Sequence, residues 1–169
     1  MLESKIQKFN HLKIHSQYSI CEGAIKIDDL KEFSKVNKIR SLGLCDTINL
    51  CGALEFSEKI SKIGTQPIIG TQINFKFGDV IGLLPLFALN EKGYKRIIEL
   101  SSLSFLQNDG LSDPHVNFDE LFNKNDGLSV FSGSVFSLFG SLFEKGKLTE
   151  IHEAYQKLKS FFGDRFYLE

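Results

Sequence analysis

Short apolar runs alternate with amphipathic stretches along almost the whole chain, and that alternation constrains the fold more than any other feature. The unit first appears at Asn10 to Gly23, N-H-L-K-I-H-S-Q-Y-S-I-C-E-G. Phe9 to Ile14 reads as a strand, and a loop of small and polar residues follows it. Asp28 to Val36 is expected to form a helix, with Asp28 as N-cap and Leu30, Phe33 and Val36 at helical spacing. Leu42 to Cys45 is a short buried strand ending at Asp46. Ala53, Phe56, Ile60 and Ile63 then mark one face of a helix that Gly64 ends.

The second half continues the pattern. Pro67 to Phe77 and Val80 to Leu89 read as strands joined by a Gly78-Asp79 turn, and Pro85 implies an edge strand or a bulge. Asn90 suits the N-cap of a helix carrying Tyr94, Ile97 and Ile98. Gln107 to Val116 is the clearest loop, and Asn117 with Glu120 forms a capping arrangement for a short helix through Leu121 and Phe122. Asp126-Gly127 turns the chain into a strand at Leu128 to Phe131, and Phe136 to Phe143 is helical. Thr149 caps a last helix with Ile151, Tyr155, Leu158 and Phe162 on one face, and Gly163 stops it. Arg165 to Glu169 begins a further strand. Strands alternating with helices predict an α/β fold with a mainly parallel sheet.

The bulk composition narrows the class of function. A chain of 169 residues fits one domain and can bury a core. Its 20 basic and 21 acidic residues give a formal charge of -1, which offers nucleic acid no basic footprint. The three cysteines, Cys21, Cys45 and Cys51, form no C-x-x-C pair, which argues against a disulfide framework or zinc knuckle and fits a reducing cytoplasm. The opening M-L-E-S-K-I-Q-K carries no signal-peptide apolar run, and Val80 to Leu89 is too short to span a bilayer. A cytoplasmic protein with no membrane partner is therefore expected.

Several motifs together carry a family resemblance. They are F-N-H-L-K-I-H-S-Q-Y-S-I-C-E-G-A-I-K-I-D-D-L, L-G-L-C-D-T-I-N-L-C-G-A-L-E-F, Q-P-I-I-G-T-Q-I-N-F, N-E-K-G-Y-K-R-I-I-E-L-S, G-L-S-V-F-S-G and F-G-D-R-F-Y-L-E. In this order and spacing the chain resembles the N-terminal PHP (polymerase and histidinol phosphatase) domain of the bacterial DNA polymerase III alpha subunit. The resemblance implies the N-terminal part of a distorted PHP-type β/α barrel, here over residues 1–169. Because the final strand F-Y-L-E ends the sequence, a C-terminally truncated fragment of a longer polymerase chain is expected.

The resemblance also marks the positions of a metal site. Members with an intact site hold a metal cluster on His, Asp and Glu at the strand ends, where cations need several lone-pair or anionic donors. The family's His-x-His pair falls on Lys13 and His15, and an ammonium offers no lone pair. The motif Thr-Asp-His-Gly-Asn-Leu reads here C-D-T-I-N-L, so Asp46 remains while Thr47 replaces the histidine. An expected carboxylate falls on Gln72, an expected histidine near Leu83 beside Pro85, and a common polar position on Ser134. His11, Lys13, His15, Asp46, Thr47 and Gln72 are thus read as positions of a vestigial site, with no catalytic residue and no bound metal expected. Lys13 is expected to pair with Asp46 in the vacated space, and Asp46 to hold the loop after it by Asx-type bonds.

Other candidates read more simply. His115 and His152 are expected at the surface, Cys45 as a small core residue, and Cys51 as a residue with no assigned base. Gly133, Gly140 and Gly146 match no phosphate loop. Phe131, Phe136, Phe139 and Phe143 are expected in core or interface packing.

Taken together, the resemblance implies an inactive structural domain that supports a replicative polymerase and docks its proofreading exonuclease subunit among other replicase subunits. The parent chain would use Mg2+ and contact DNA through parts absent here, and this segment needs no cofactor. The alternative is a metal-dependent phosphoesterase or proofreading exonuclease using Zn2+ or Mn2+.

Overall fold

The computed structural model describes residues 9–107 and 110–169. The opening residues of the expected domain, and positions 108 and 109 of the expected loop, lie outside the described residues. The elements are α1 (Ile27–Val36), β1 (Ser41–Thr47), α2 (Ala53–Ser61), β2 (Gln66–Phe77), β3 (Val80–Ala88) and α3 (Glu91–Leu106), followed by β4 (Val116–Asn117), β5 (Leu128–Phe131), α4 (Leu138–Glu144), α5 (Leu148–Phe162) and β6 (Phe166–Tyr167). A 3-10 turn, Phe118–Phe122, follows β4.

The sheet runs β1-β2-β3-β5-β6, and β4 pairs with β2 off that path. β1 and β2 are parallel, as are β2 and β4, and β5 and β6. Only β3 is reversed, antiparallel to both β2 and β5, because the two-residue Gly78-Asp79 turn leaves no room for a crossover. The sheet is therefore mainly parallel, with one hairpin built into it. β4 takes up the β1 side of β2 at Phe75, beyond the last β1 pair, Thr47 with Gln72.

Several local expectations change. Phe9 to Ile14 lies along β1 without forming a regular ladder: Gly43 N–H donates to His11 O at 2.7 Å and Cys45 N–H to Ile14 O at 2.8 Å. The approach is so close that a Cβ on Gly43 would stand 2.1 Å from Leu12 O. Pro85 does not sit on an edge strand, since β3 lies between β2 and β5. Leu89 N–H donates to Gly127 O, so alternation turns the nitrogen of Pro85 toward the β5 side. The β3–β5 register stops at Leu86 with Val130, so the missing donor falls where that ladder has ended. Asn117 makes no side-chain cap bond to the 3-10 turn, and Glu120 instead accepts from Asn123 Nδ2 at 3.2 Å.

Helix boundaries follow the chemistry of their ends. Asn90 caps α3 by accepting from Gly93 N–H at 3.1 Å. α1 starts one residue earlier than expected, after Lys26, whose N–H reaches the Asp29 carboxylate at 3.4 Å. Its buried face is Ile27, Leu30 and Ser34, while Phe33 and Val36 are exposed. α5 starts at Leu148 with Lys147 at its N-cap, so Thr149 lies inside the helix. Gly163 ends it with φ +53.

Two hydrophobic cores form among the described residues. The smaller joins α1, β1 and α2 through Ile27, Leu30, Leu42, Leu44, Phe56 and Ile60. The larger runs from Ile73 to Phe166 and takes in Phe75, Leu84, Leu86, Ile97, Leu100, Val130 and Leu158. Of the expected Phe series, Phe139 packs against the larger core and Phe131 tilts against Phe87 and Tyr167, at centroid distances of 4.9 and 5.3 Å. Phe136 and Phe143 are exposed.

Candidate functional site

The loop after the first extended segment is folded onto Asp46. The Asp46 side chain is buried at the end of β1, and a buried carboxylate must find donors there. Its Oδ1 accepts from Ser16 N–H at 2.6 Å and from Ser19 Oγ at 2.7 Å, and its Oδ2 accepts from Ser16 Oγ at 2.8 Å. Ser19 Oγ in turn accepts from Thr47 N–H at 3.0 Å. Asp46 thus holds the loop before α1, not the loop after β1. Gly23 lets that loop close, because a Cβ there would meet Ser16 O at 2.1 Å.

Beside this knot lies a cleft of about 370 Å³ lined by Lys13, His15, Glu22, Gln72, Leu83, Pro85, Gly133, Ser134, Phe136 and Ser137. The segment beside β1, β2, β3 and the loop after β5 all contribute to it, so the fold gathers five of the marked positions, Lys13, His15, Gln72, Leu83 and Ser134. Thr47 adjoins them: its hydroxyl donates to Glu22 Oε2 and accepts from Gln72 Nε2 at 2.7 Å. His15 Nδ1 is buried without a hydrogen-bond partner and stands 4.0 Å from Glu22 Oε2. His11 is not part of the cleft; its ring packs edge-on to Phe9 at 5.0 Å and Phe33 at 6.4 Å.

The expected pair between Lys13 and Asp46 does not form. Lys13 Nζ donates to Glu169 Oε1 at 2.8 Å, while the Asp46 oxygens are taken by serine donors. The physical reason is distance in hydrogen-bond terms: Ser16 and Ser19 lie in the loop directly over the carboxylate and satisfy it first. Glu22 and Ser137 of the cleft, and Glu169 as the partner of Lys13, were not legible as site residues, although Glu22 and Glu169 stand in quoted motifs, C-E-G and F-Y-L-E.

Around the site the electrostatics are local. Burial pushes the Cys45 thiol far above its ordinary range, so it behaves as a core residue. Tyr18 O–H donates to Glu55 Oε2 at 2.8 Å, and that carboxylate raises the phenol's pKa. Lys59, bound to Asp28 at 2.6 Å and Glu55 at 2.8 Å, is raised to about 12 by those two carboxylates. His115 Nδ1 contacts Asp113 O at 2.8 Å, and His152 is exposed. Ile48, next to Thr47, has φ +56, a left-handed conformation that a β-branched residue rarely adopts.

The donor set does not fit a metal cluster. An ammonium stands among the cleft's side chains, the Asp46 oxygens are spent on three hydrogen bonds, and Thr47 and Gln72 bring neutral oxygens. Among the described residues no three His, Cys, Asp or Glu side chains group closely enough to hold an ion. His15 Nδ1, buried without a hydrogen-bond partner, is a nitrogen donor left in the cleft.

Comparison with known proteins adds the lineage. The chain is 36% identical over 182 aligned residues to DNA polymerase III subunit alpha of Caulobacter vibrioides, covering 100% of this chain and 16% of that protein. It is 32% identical over 165 residues to DNA polymerase III subunit alpha of Haemophilus influenzae, covering 95% of this chain and 14% of the relative. The chain thus spans about a sixth of the length of these relatives. An amidohydrolase from Chromobacterium violaceum superposes with a TM-score of 0.43 at 12% identity, covering 87% of this chain and 54% of that one. The family model described as PHP domain matches residues 11–169, and with every element from α1 to β6 inside that match, this chain belongs to the PHP domain family.

Proposed function

We propose that this chain is the PHP domain of a replicative DNA polymerase alpha subunit, working as a structural domain without its own chemistry. The carrying observation is the cleft: the positions that would ligate metal converge, but they bring an ammonium, a hydroxyl and an amide. The lineage supports the polymerase part, since relatives matched over 95–100% of the chain are alpha subunits. In this reading the domain supports the polymerase core, belongs to a replicase complex and docks the proofreading exonuclease subunit. The parent chain continues past Glu169, extends DNA with Mg2+, and works in the cytoplasm. No described helix is long and apolar enough to cross a membrane.

The direct test is retention of the cognate exonuclease subunit by the intact alpha subunit, with and without this domain. Retention that depends on the domain is expected, and equal retention without it refutes the docking role. A phosphodiesterase assay of the purified protein with Mn2+ or Zn2+ tests the chemistry, and turnover abolished by His15→Ala would overturn the structural reading.

A further inference from the structure

The strand end that carries Asp46 also carries Thr47, and both residues grip the same loop. Residues 16–25 form a closed turn. Ser16 and Ile25 are bridged, Gln17 N–H donates to Ile25 O at 2.9 Å, and Glu22 and Gly23 N–H donate to Ser19 O at 3.0 and 2.9 Å. Asp46 binds this turn at Ser16 and Ser19. Thr47 binds it twice more: its N–H donates to Ser19 Oγ at 3.0 Å, and its hydroxyl donates to Glu22 Oε2. A hydroxyl has one donor and two acceptor lone pairs, so the same oxygen also accepts from Gln72 Nε2 at 2.7 Å. Thr47 and Gln72 are register partners on β1 and β2, which sets the amide beside the hydroxyl. A continuous line of hydrogen bonds thus runs from β2 through β1 to the loop.

Two further observations converge on the Thr47–Glu22 contact. Glu22 is the only carboxylate among the described residues that line the cleft, and its Oε2 is the oxygen that Thr47 engages. His15 Nδ1 stands 4.0 Å from that oxygen and is left without a partner. The backbone is also left-handed beside each member of the contact, with φ +67 at Cys21 and φ +56 at Ile48. Residues other than glycine keep such angles only where surrounding contacts over-determine them.

We propose that residues 16–25 are a strap buckled to the strand ends by Thr47, and that this hydroxyl, at the position of a histidine ligand, joins loop and strands where a cation would join them in a metal-loaded member of the family. The carboxylate that a cation would need is spent on the buckle, and the Lys13 ammonium in the same cleft repels an incoming divalent ion. Every member of the strap and its buckle lies between Ser16 and Gln72. Only the loop and the strand ends are involved, so the strap stands whether or not the replicase reading does.

Hydrogen exchange and thermal unfolding of the intact protein test this, with the Gln17, Glu22 and Gly23 amides as probes of the strap. Thr47→Val keeps the side-chain shape and removes the hydroxyl. It is expected to speed exchange of the three amides by about tenfold or more while the amides of β3 keep their protection, and to lower the melting temperature by roughly 2–6 °C. Glu22→Ala is expected to reproduce most of the exchange effect, and the double variant to add little to either single one. Unchanged exchange of the three amides in Thr47→Val overturns the proposal, as do additive effects of the two substitutions. In the unaltered protein EDTA, Mn2+ and Zn2+ are each expected to leave the exchange of the strap as it is. Faster exchange in EDTA, or slower exchange with either metal, means that a cation and not the hydroxyl holds the loop, and refutes the buckle. That comparison needs no variant, so it decides even if Thr47→Val fails to fold.

Discussion

Replacing Asp46 probes the knot at the end of β1. In Asp46→Ala three donors lose their acceptor: Ser16 N–H, Ser16 Oγ and Ser19 Oγ, held at 2.6, 2.8 and 2.7 Å. Hydrogen bonds to a charged acceptor contribute about 1.5–3 kcal/mol each, and stranded buried donors cost a similar amount. At the low end, three such bonds make the truncation cost about 4–5 kcal/mol, a large part of the stability of an ordinary domain. Asp46→Asn separates charge from shape. Its amide oxygen can still accept from Ser16 N–H and Ser19 Oγ, but its NH2 then faces Ser16 Oγ, which already accepts from Tyr18 N–H at 3.2 Å. Neutral bonds are roughly half as strong as charge-assisted ones, so Asn costs about 2 kcal/mol. Urea unfolding followed by far-UV circular dichroism gives both values, and amide exchange across residues 16–23 locates the loss. An Ala variant within about 1 kcal/mol of the parent refutes the reasoning, since three buried bonds cannot be that cheap.

Three further outcomes are expected. Ile48→Gly relieves a left-handed β-branched residue at φ +56; about 1–2 kcal/mol of strain less about 0.5–1 kcal/mol of added unfolded-state entropy leaves a gain of up to about 1.5 kcal/mol in urea unfolding. The Asp28 and Glu55 carboxylates are both held below their ordinary pKa, first by Lys59 in each case. Their contribution is complete above the unfolded carboxylate pKa of about 4 and disappears as pH falls through the lower folded values, so unfolding free energy should decline below about pH 4, with a shallower slope in Lys59→Met. A native maleimide reaction should modify exposed Cys21 and Cys51 and spare buried Cys45 until denaturant is added, as mass spectrometry of labelled peptides would show.

Much of the fold was legible because local periodicity and turn chemistry dictate it. Asn90, the Gly78-Asp79 turn and the Ala53, Phe56 and Ile60 face were each readable within a few residues. What failed depends on neighbours distant in sequence. Pro85 looked like an edge residue because nothing local shows that β5 pairs only beyond it. Phe33 and Val36 had helical spacing, but the sheet lies on the Ile27, Leu30 and Ser34 side. At the site, the aligned positions did converge on one cleft, with His11 turned away into its aromatic neighbours. The partner of Lys13 was not legible, since Glu169 is 156 residues away in sequence.

The division into two cores has a consequence for the order in which the chain can assemble as it leaves the ribosome. Every residue of the smaller core, with the partly buried Ile14, Tyr18, Ile39 and Ile69 packed on it, has been made once Ile69 emerges. The larger core includes Phe162 and Phe166, so it stays open at one side until Phe166 has been synthesised. The α1–β1–α2 unit can consolidate early on short loops, while β2 and β3 must wait with apolar faces uncovered. During that interval the hairpin is the segment most exposed to misassociation, and a synthesis pause after Ile69 would do nothing to protect it, whereas one after Phe166 would.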